Sequence, residues 1–384
     1  MKISGARFYR YSLPLVRPLP IRDQVIETRE GIIVLVETDD GVTGIGEIAP
    51  LPGFSDTSLP DARDIAAHCV RNLMRRENIL QSHPPALRDR ESFPPSVRFG
   101  IECALLHLCA NAHSKTPAQI LAEEPSAHLP VNALLNGDRR VVLEQAARAA
   151  DKGFRVVKCK VGRERMQEDV ETVKELRNIL SPDIAIRLDA NRAWRYDDAL
   201  TFVRAISNLN VSYIEEPLAE PERLAEFGSV SPVPYAVDET LQEVGWARMF
   251  KWRESGYLDA LSDEPGDAEP MLRAVRAAHT WVVKPTLAGF PLRYVTHLLD
   301  GFRRIDADLV ISSSFESAVG HCALIAIAAS AGRDALAAGL DTADWFAENA
   351  FTLPVAVNGA IDVEASQASL LAFDARTLEE LPND

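Results

Sequence analysis

The feature that most constrains this chain is a series of short apolar runs that each end in charge. VVKCKVG (Val156 to Gly162) comes first, then IRLDAN (Ile186 to Asn191), YIEEP (Tyr213 to Pro217), AVDET (Ala236 to Thr240) and VVKPT (Val282 to Thr286). Lys160, Asp189, Glu215, Asp238 and Lys284 follow one another at steps of 29, 26, 23 and 46 residues. One strand, one helix and two loops use about 25–30 residues, so most steps match a single βα unit. Charged residues at the ends of consecutive parallel strands converge on one mouth of a barrel. On a strand, Lys158 and Lys160 share a face and Cys159 takes the other; Arg187, Asp189 and Asn191 also share one.

From Leu129 onward, strands are expected at 131–137, 156–161, 185–189, 211–215, 235–238, 281–284, 309–313 and 337–342, with amphipathic helices between them, including 141–152, 165–180 and 242–254. Eight strands fit an α/β barrel. LDALSDEP (Leu258 to Pro265) is read as a segment outside it, since counting it would give nine. Residues 1–125 read as an α+β unit. A strand at Ala6–Leu15 precedes a hairpin around Asp39-Asp40-Gly41, and helices follow over 61–80 and 96–110, the second with one apolar stripe. PLPIRDQVIETRE, near 18–30, reads as a lid over the barrel mouth. The barrel spans 126–345. Residues 346–384, including FTLPVAV (Phe351 to Val357), return to the first unit. His107 on its helix is read as structural.

Three carboxylates from neighbouring strands, with no histidine near and Cys159 turned away, make an oxygen-only site. Such donors suit Mg²⁺ over zinc, and Mn²⁺ can substitute. Adjacent residues alternate faces, so one of Glu215 and Glu216, and one of Asp238 and Glu239, points inward; spacing alone does not choose. A lysine of ordinary pKa, about 10.4, needs lowering by about three units, or ~4 kcal/mol, to act as a base near neutral pH. A second ammonium and a metal push that way, so Lys158 is read as the neighbour that tunes Lys160. Lys284 arrives from the far side of the barrel, leaving the substrate between two amines.

The net charge is −15. It disfavours nucleic acid and anionic membranes, and it requires an anionic substrate to be held by local Lys and Arg. Five cysteines without a C-x-x-C read as free thiols of a cytoplasmic protein. The longest apolar run, around 318–331, is too short to span a bilayer, and nothing fixes an oligomeric state.

K-x-K, D-x-N, I-E-E-P, V-D-E-T and V-K-P-T-L-A-G, in this order, resemble the enolase superfamily in its muconate-cycloisomerase-like subgroup. The resemblance implies an α/β fold: a TIM-type (β/α)7β barrel with an α+β capping domain formed by the N-terminal region and the C-terminal tail. It implies that Asp189, Glu215 and Asp238 bind Mg²⁺ and that Lys160 and Lys284 are the acid/base pair. Asn191, Glu216 and Glu239 would support the ligands. ISSSFES (Ile311 to Ser317) lies where mandelate-racemase-like members carry a histidine, which disfavours that subgroup.

Within the subgroup, ISSSFESAVG, AGLDT and GEIAPLPGFS resemble the o-succinylbenzoate synthase family. Ser312, Ser313 and Ser314 would offer hydroxyl and amide groups to one carboxylate of a small dicarboxylate substrate. Gly339 and the arginines of the 18–30 segment would complete its pocket, and Arg187 would assist near the metal or form a structural ion pair. The implied reaction is the Mg²⁺-dependent dehydration of 2-succinyl-6-hydroxy-2,4-cyclohexadiene-1-carboxylate to 2-succinylbenzoate, through an enediolate, in menaquinone-type quinone synthesis. An N-acylamino-acid racemase is the same-family alternative, and a non-catalytic binding protein the remote one.

Overall fold

The computed structural model describes residues 2–21, 24–75, 87, 93–163, 165–245, 250–252, 258–260, 269–289, 307–332, 335–347, 354–371 and 373–382. The chain opens with β1 (Ile3–Ile21), β2 (Gln24–Thr38) and β3 (Thr43–Ile48), paired antiparallel in sequence order. Gly41, at φ +84°, makes the β2–β3 turn that the Asp-Asp-Gly signal predicts. Helices Leu59–Met74 and Pro95–Ala112 follow. The second lies hard against β3: a Cβ at Gly46 would sit 2.1 Å from the Gly100 carbonyl oxygen. Where the sequence predicts one apolar stripe, this helix is buried all round from Ser96 to Ala110. It feeds two cores, with Ile101 and Leu105 in the cap and Phe99 and Leu106 in the barrel.

The irregular lid expected at 18–30 is instead the far end of the β1–β2 ribbon. Leu19 pairs with Ile26, Pro20 with Val25 and Ile21 with Gln24, after a register slip between Pro14 and Leu19. Among the described residues β1 has no second partner at this end, so a proline without an N–H is tolerated. Leu19 and Ile21 are buried in an apolar seam with Leu51, Leu287, Val319 and Trp345, which joins cap to barrel. Arg22 and Asp23 lie outside the described residues.

After β4 (His128–Pro130) the strands run parallel: β5 (Ala133–Leu135), β6 (Val156–Lys160), β7 (Ala185–Asp189), β8 (Val211–Glu215) and β9 (Tyr235–Val237). Helix Arg139–Asp151 between β5 and β6 is capped by Asp138, whose carboxylate accepts the Val141 N–H at 2.9 Å. Of the helix predicted over 242–254, the described residues show Glu239–Val244, which ends at Gly245, φ +77°; 246–249 and 253–254 lie outside the described residues. β10 (Phe250–Trp252) and β11 (Leu258–Ala260) then pair with each other, outside the barrel sheet. β12 (Thr280–Val283) and β13 (Asp308–Ile311) complete a seven-stranded parallel sheet.

Residues 338–339 close that sheet as its eighth strand. Gly339 N–H donates to the Ile311 carbonyl (2.8 Å) on one side, and Ala338 N–H to the Pro130 carbonyl (2.9 Å) on the other. The fold is thus a (β/α)7β barrel with an antiparallel cap. β14 (Ala360–Asp362) pairs with β4, and β15 (Glu379–Leu381) adds to β1 in the cap. β15 makes a return to the cap; of FTLPVAV, Phe351–Leu353 lie outside the described residues, and Val355 and Val357 are exposed. The five cysteines are buried and form no disulfide among the described residues, and no described helix is long and apolar enough to cross a membrane.

Candidate active site

Strand register carries the charged strand ends into one row. Lys160 lies opposite Asp189 across β6 and β7, and Asp189 opposite Glu215 across β7 and β8. Asp238 follows β9 directly, and Lys284 follows β12. A cavity of about 680 Å³ lies over this row, with Lys158, Lys160, Asp189 and Lys284 in its wall and Leu19 and Phe54 contributed by the cap. Glu215 and Asp238 lie behind the lysines, almost wholly buried.

The three lysines are in different electrostatic states. Lys158 Nζ donates to both Glu215 oxygens, at 2.8 and 2.7 Å, and lies 3.2 Å from Asp189. Burial alone would lower its pKa, but Asp189 and Glu215 together hold it well above the usual lysine value. Lys284 donates to Asp238, and that carboxylate with Glu239 likewise outweighs burial and raises it. Lys160 donates to a neutral partner, Asn191 Oδ1, at 2.6 Å, and stands 4.0 Å from Asp189. Burial lowers its pKa, and the ammonium of Lys158 adds to that against the pull of Asp189. The tuning expected of Lys158 is therefore present as the smaller effect.

Hydrogen bonding separates Glu215 from Glu216, whereas Asp238 and Glu239 both stay at the site. Glu216 turns away from the cavity at φ +43° and accepts the N–H groups of Asp238 (2.9 Å) and Thr240 (2.7 Å), the Thr240 hydroxyl (2.7 Å) and Arg192 Nε (3.2 Å). It fixes the turn that sets Asp238. Glu239 reaches the cavity wall, where one oxygen accepts from Asn191 Nδ2 (3.2 Å) and the other, Oε2, is buried without a partner among the described residues. Asn191 thus links Lys160 to Glu239.

Among the described residues, no three His, Cys, Asp or Glu side chains form a closed metal cage, because Lys158 stands between Glu215 and Asp189 and Lys284 sits on Asp238. The donor set nonetheless suits a hard divalent cation. Burial, with repulsion from Asp189 and Asp238, pushes Glu215 up to about 8 even with Lys158 on it, and burial pushes Glu239 up to about 7. The two ammonium groups stand where positive charge is demanded, and the orphaned Glu239 oxygen marks a further acceptor.

The serine turn after β13 also lines the cavity. Ser313 Oγ donates to Glu316 (2.7 Å), Ser312 Oγ to the Gly339 carbonyl (3.4 Å), and Ser314 Oγ is buried without a partner among the described residues. Gly339 is needed for close approach, since a Cβ there would lie 2.6 Å from Ser312 Oγ. Two expected contributors are elsewhere. Arg187 is absent from the cavity wall: it donates to Asn132 Oδ1 (3.2 Å) and the Ala337 carbonyl (2.6 Å), its guanidinium 5.3 Å from the Tyr213 ring centre. It points inward two residues before Asp189, hence one layer deeper, and none of these partners is a carboxylate. Arg29, of the 18–30 segment, is buried and spends its donors on the carbonyls of Glu30, Ala49, Pro50 and Phe315. His107 accepts the Ile45 N–H at 3.1 Å, a structural contact.

Sequence reasoning missed Glu47, Glu316, Thr240 and Arg192, which hold the loops around the cavity. Glu47 and Glu316 do lie inside the GEIAP and SSSFES runs, so a buried glutamate in a catalytic-loop motif was the available signal.

The model of the "Enolase C-terminal domain-like" family matches residues 141–365, and that of the "MenC, N-terminal domain" family matches residues 3–108. The o-succinylbenzoate synthase of Pectobacterium atrosepticum is 31% identical over 345 residues, covering 88% of this chain and 89% of that protein. The enzyme of the same name from Escherichia coli O127:H6 is 30% identical over 371 residues, covering 95% and 99%. Among solved structures, an N-succinyl Arg/Lys racemase from Bacillus cereus superposes with a TM-score of 0.73 at 23% identity, covering 97% of this chain and 99% of that one. The L-Ala-D/L-Glu epimerase from Bacillus subtilis gives 0.74 at 20% identity, covering 94% and 96%. These two likenesses bear on the fold alone.

Proposed function

The chain belongs to the enolase superfamily and, within it, to the o-succinylbenzoate synthase family, and we propose that it dehydrates 2-succinyl-6-hydroxy-2,4-cyclohexadiene-1-carboxylate to 2-succinylbenzoate, a hydro-lyase step of menaquinone-type quinone synthesis. The observation that carries this reading is the division of labour among the lysines. Lys160 alone of the three has a neutral hydrogen-bond partner and a lowered pKa, as a base requires.

Asp189, Glu215 and Asp238 are the residues that would hold Mg²⁺, with Mn²⁺ as a substitute. When bound, the ion supplies Lewis-acid charge beside the ring carboxylate of the substrate. Lys160 removes the proton from the ring carbon that bears that carboxylate. Lys284, kept cationic by Asp238, faces the resulting enediolate and offsets its charge. Lys160 then returns its proton to the departing hydroxyl as the C–O bond breaks, so proton and hydroxide leave as water and the ring becomes aromatic. Ser314 and its neighbours in the serine turn hold the second carboxylate, and the apolar seam around Leu19 and Leu51 shields the mouth from water.

The test is turnover of the cyclohexadiene substrate by purified protein with Mg²⁺. Lys160→Ala should lower kcat by about 10³-fold or more, and chelation should abolish turnover; full activity in either case would overturn the reading. Lys160 and Lys284 share one cavity, an arrangement that also suits racemisation of N-acylamino acids. Racemisation needs both as bases, whereas dehydration needs Lys284 only as a cation. Lys284→Arg should therefore reduce any racemase activity at least about tenfold more than dehydration. Equal losses would mean that Lys284 transfers a proton in both.

A further inference from the structure

Two buried glutamates, one from each part of the molecule, grip the turn after β13 from opposite sides. Glu316 faces the barrel and accepts from the hydroxyls of Thr286 (2.5 Å) and Ser313 (2.7 Å) and from the Ser314 N–H (2.8 Å). Thr286 is two residues beyond Lys284, so Glu316 ties the serine turn to the lysine end of β12. The next residue, Ser317, faces the cap. Its N–H (3.0 Å) and its hydroxyl donate to Glu47, which also accepts from the Gly320 N–H (2.7 Å) and, within the cap, from the Tyr11 hydroxyl (2.5 Å). Position 320 admits no larger residue without displacement, since a Cβ there would lie 2.9 Å from Glu47 Oε2 and 2.8 Å from Glu316 Cβ.

We propose that Glu47 is a positioning residue: from the cap, it sets the turn that receives the substrate's second carboxylate and, through Glu316, the Lys284 loop. The inference rests on reading Ser312–Ser314 as that carboxylate site. Every partner of Glu47 is a donor, and it lies at the start of helix Ala318–Ala329, where a carboxylate is favoured. Simple helix capping does not require it, because Ser317 Oγ already accepts the Val319 N–H (3.3 Å). Glu47 comes from a strand 270 residues earlier, so its bonds fix the cap against the loop.

The experiment compares Glu47→Ala, Glu47→Gln and Ser317→Ala with wild type, by steady-state kinetics and by amide hydrogen exchange. Glu47→Ala should raise KM about tenfold with kcat within about threefold. Exchange should accelerate at 312–320 and stay unchanged at 185–240. Glu47→Gln should recover part of the KM loss, because it keeps one acceptor oxygen and at the other places an NH₂ against one backbone N–H and one hydroxyl, which can turn to accept. Should Glu47→Ala fail to fold, Ser317→Ala carries the test, with a KM increase of about threefold and the same local exchange. Unchanged KM and exchange, or a kcat loss that merely tracks the folded fraction, would overturn the proposal. Wild type inactive on the cyclohexadiene substrate would sink the proposed reaction instead, while the exchange pattern still decides whether Glu47 holds the turn.

Discussion

Replacing Lys158 with methionine would remove the ammonium that bridges Glu215 and Asp189. Taking one partner from a buried ion pair costs about 3–5 kcal/mol, mostly from the charge left behind. Lys158 is largely buried and bonded to both oxygens of Glu215, so Lys158→Met should show a clear drop in thermal midpoint in chelator, and Mg²⁺ should recover part of it. An unchanged midpoint in chelator would mean that the carboxylates there are already neutral. At this scale, the sequence read Lys158 as a tuner of Lys160. The contacts make it first a counter-ion, because a strand face carries no information about which carboxylate a side chain reaches. Asn191 differs in the same way: its D-x-N spacing put it beside a ligand, yet its carbonyl oxygen takes the Lys160 ammonium directly.

Among the elements, the β1–β2 ribbon departs furthest from its sequence pattern. Two prolines and a register slip hide its periodicity, and Leu19 and Ile21 are buried in a cluster that mixes residues of their own sheet with barrel residues such as Leu287 and Val319. Arg29 holds the ribbon down by hydrogen bonds to main-chain carbonyls of Ala49, Pro50 and Phe315. Arg29→Met keeps the stem but strands several of those acceptors, at about 1–3 kcal/mol for each that water cannot reach. Urea unfolding should register a loss of a few kcal/mol; a loss below about 0.5 would show that the carbonyls find other donors. The barrel strands were legible because each is a short apolar run at a regular step, whereas within the stretch expected as a helix over 242–254 the described residues give a helical end at Val244 and a strand at Phe250–Trp252 that pairs with Leu258–Ala260.

For the whole molecule, acid should be destabilising through two imidazoles, one in the cap and one in the barrel. Burial pushes both His107 and His321 down to about 4 from an ordinary 6.5. Between those values the unfolded chain binds protons that the folded chain refuses. Stability is therefore intact above about pH 6.5 and falls as the pH drops toward 4, by about 2 kcal/mol for each histidine at pH 5. Urea midpoints at pH 7 and pH 5 measure this, and His321→Leu should lose part of the pH dependence; identical slopes in variant and wild type would discount His321. The sequence by itself determined the barrel, its order of strands and the row of Lys160, Asp189, Glu215, Asp238 and Lys284, because strand alternation and the length of a βα unit are local properties of the chain. Tertiary structure alone decided that Glu216 turns away while Glu239 reaches the cavity, that Arg187 and Arg29 serve the framework, and that Glu47 of the cap holds the serine turn. Those outcomes depend on hydrogen-bond partners tens to hundreds of residues away, which become neighbours only when the sheet closes and the cap docks on its mouth.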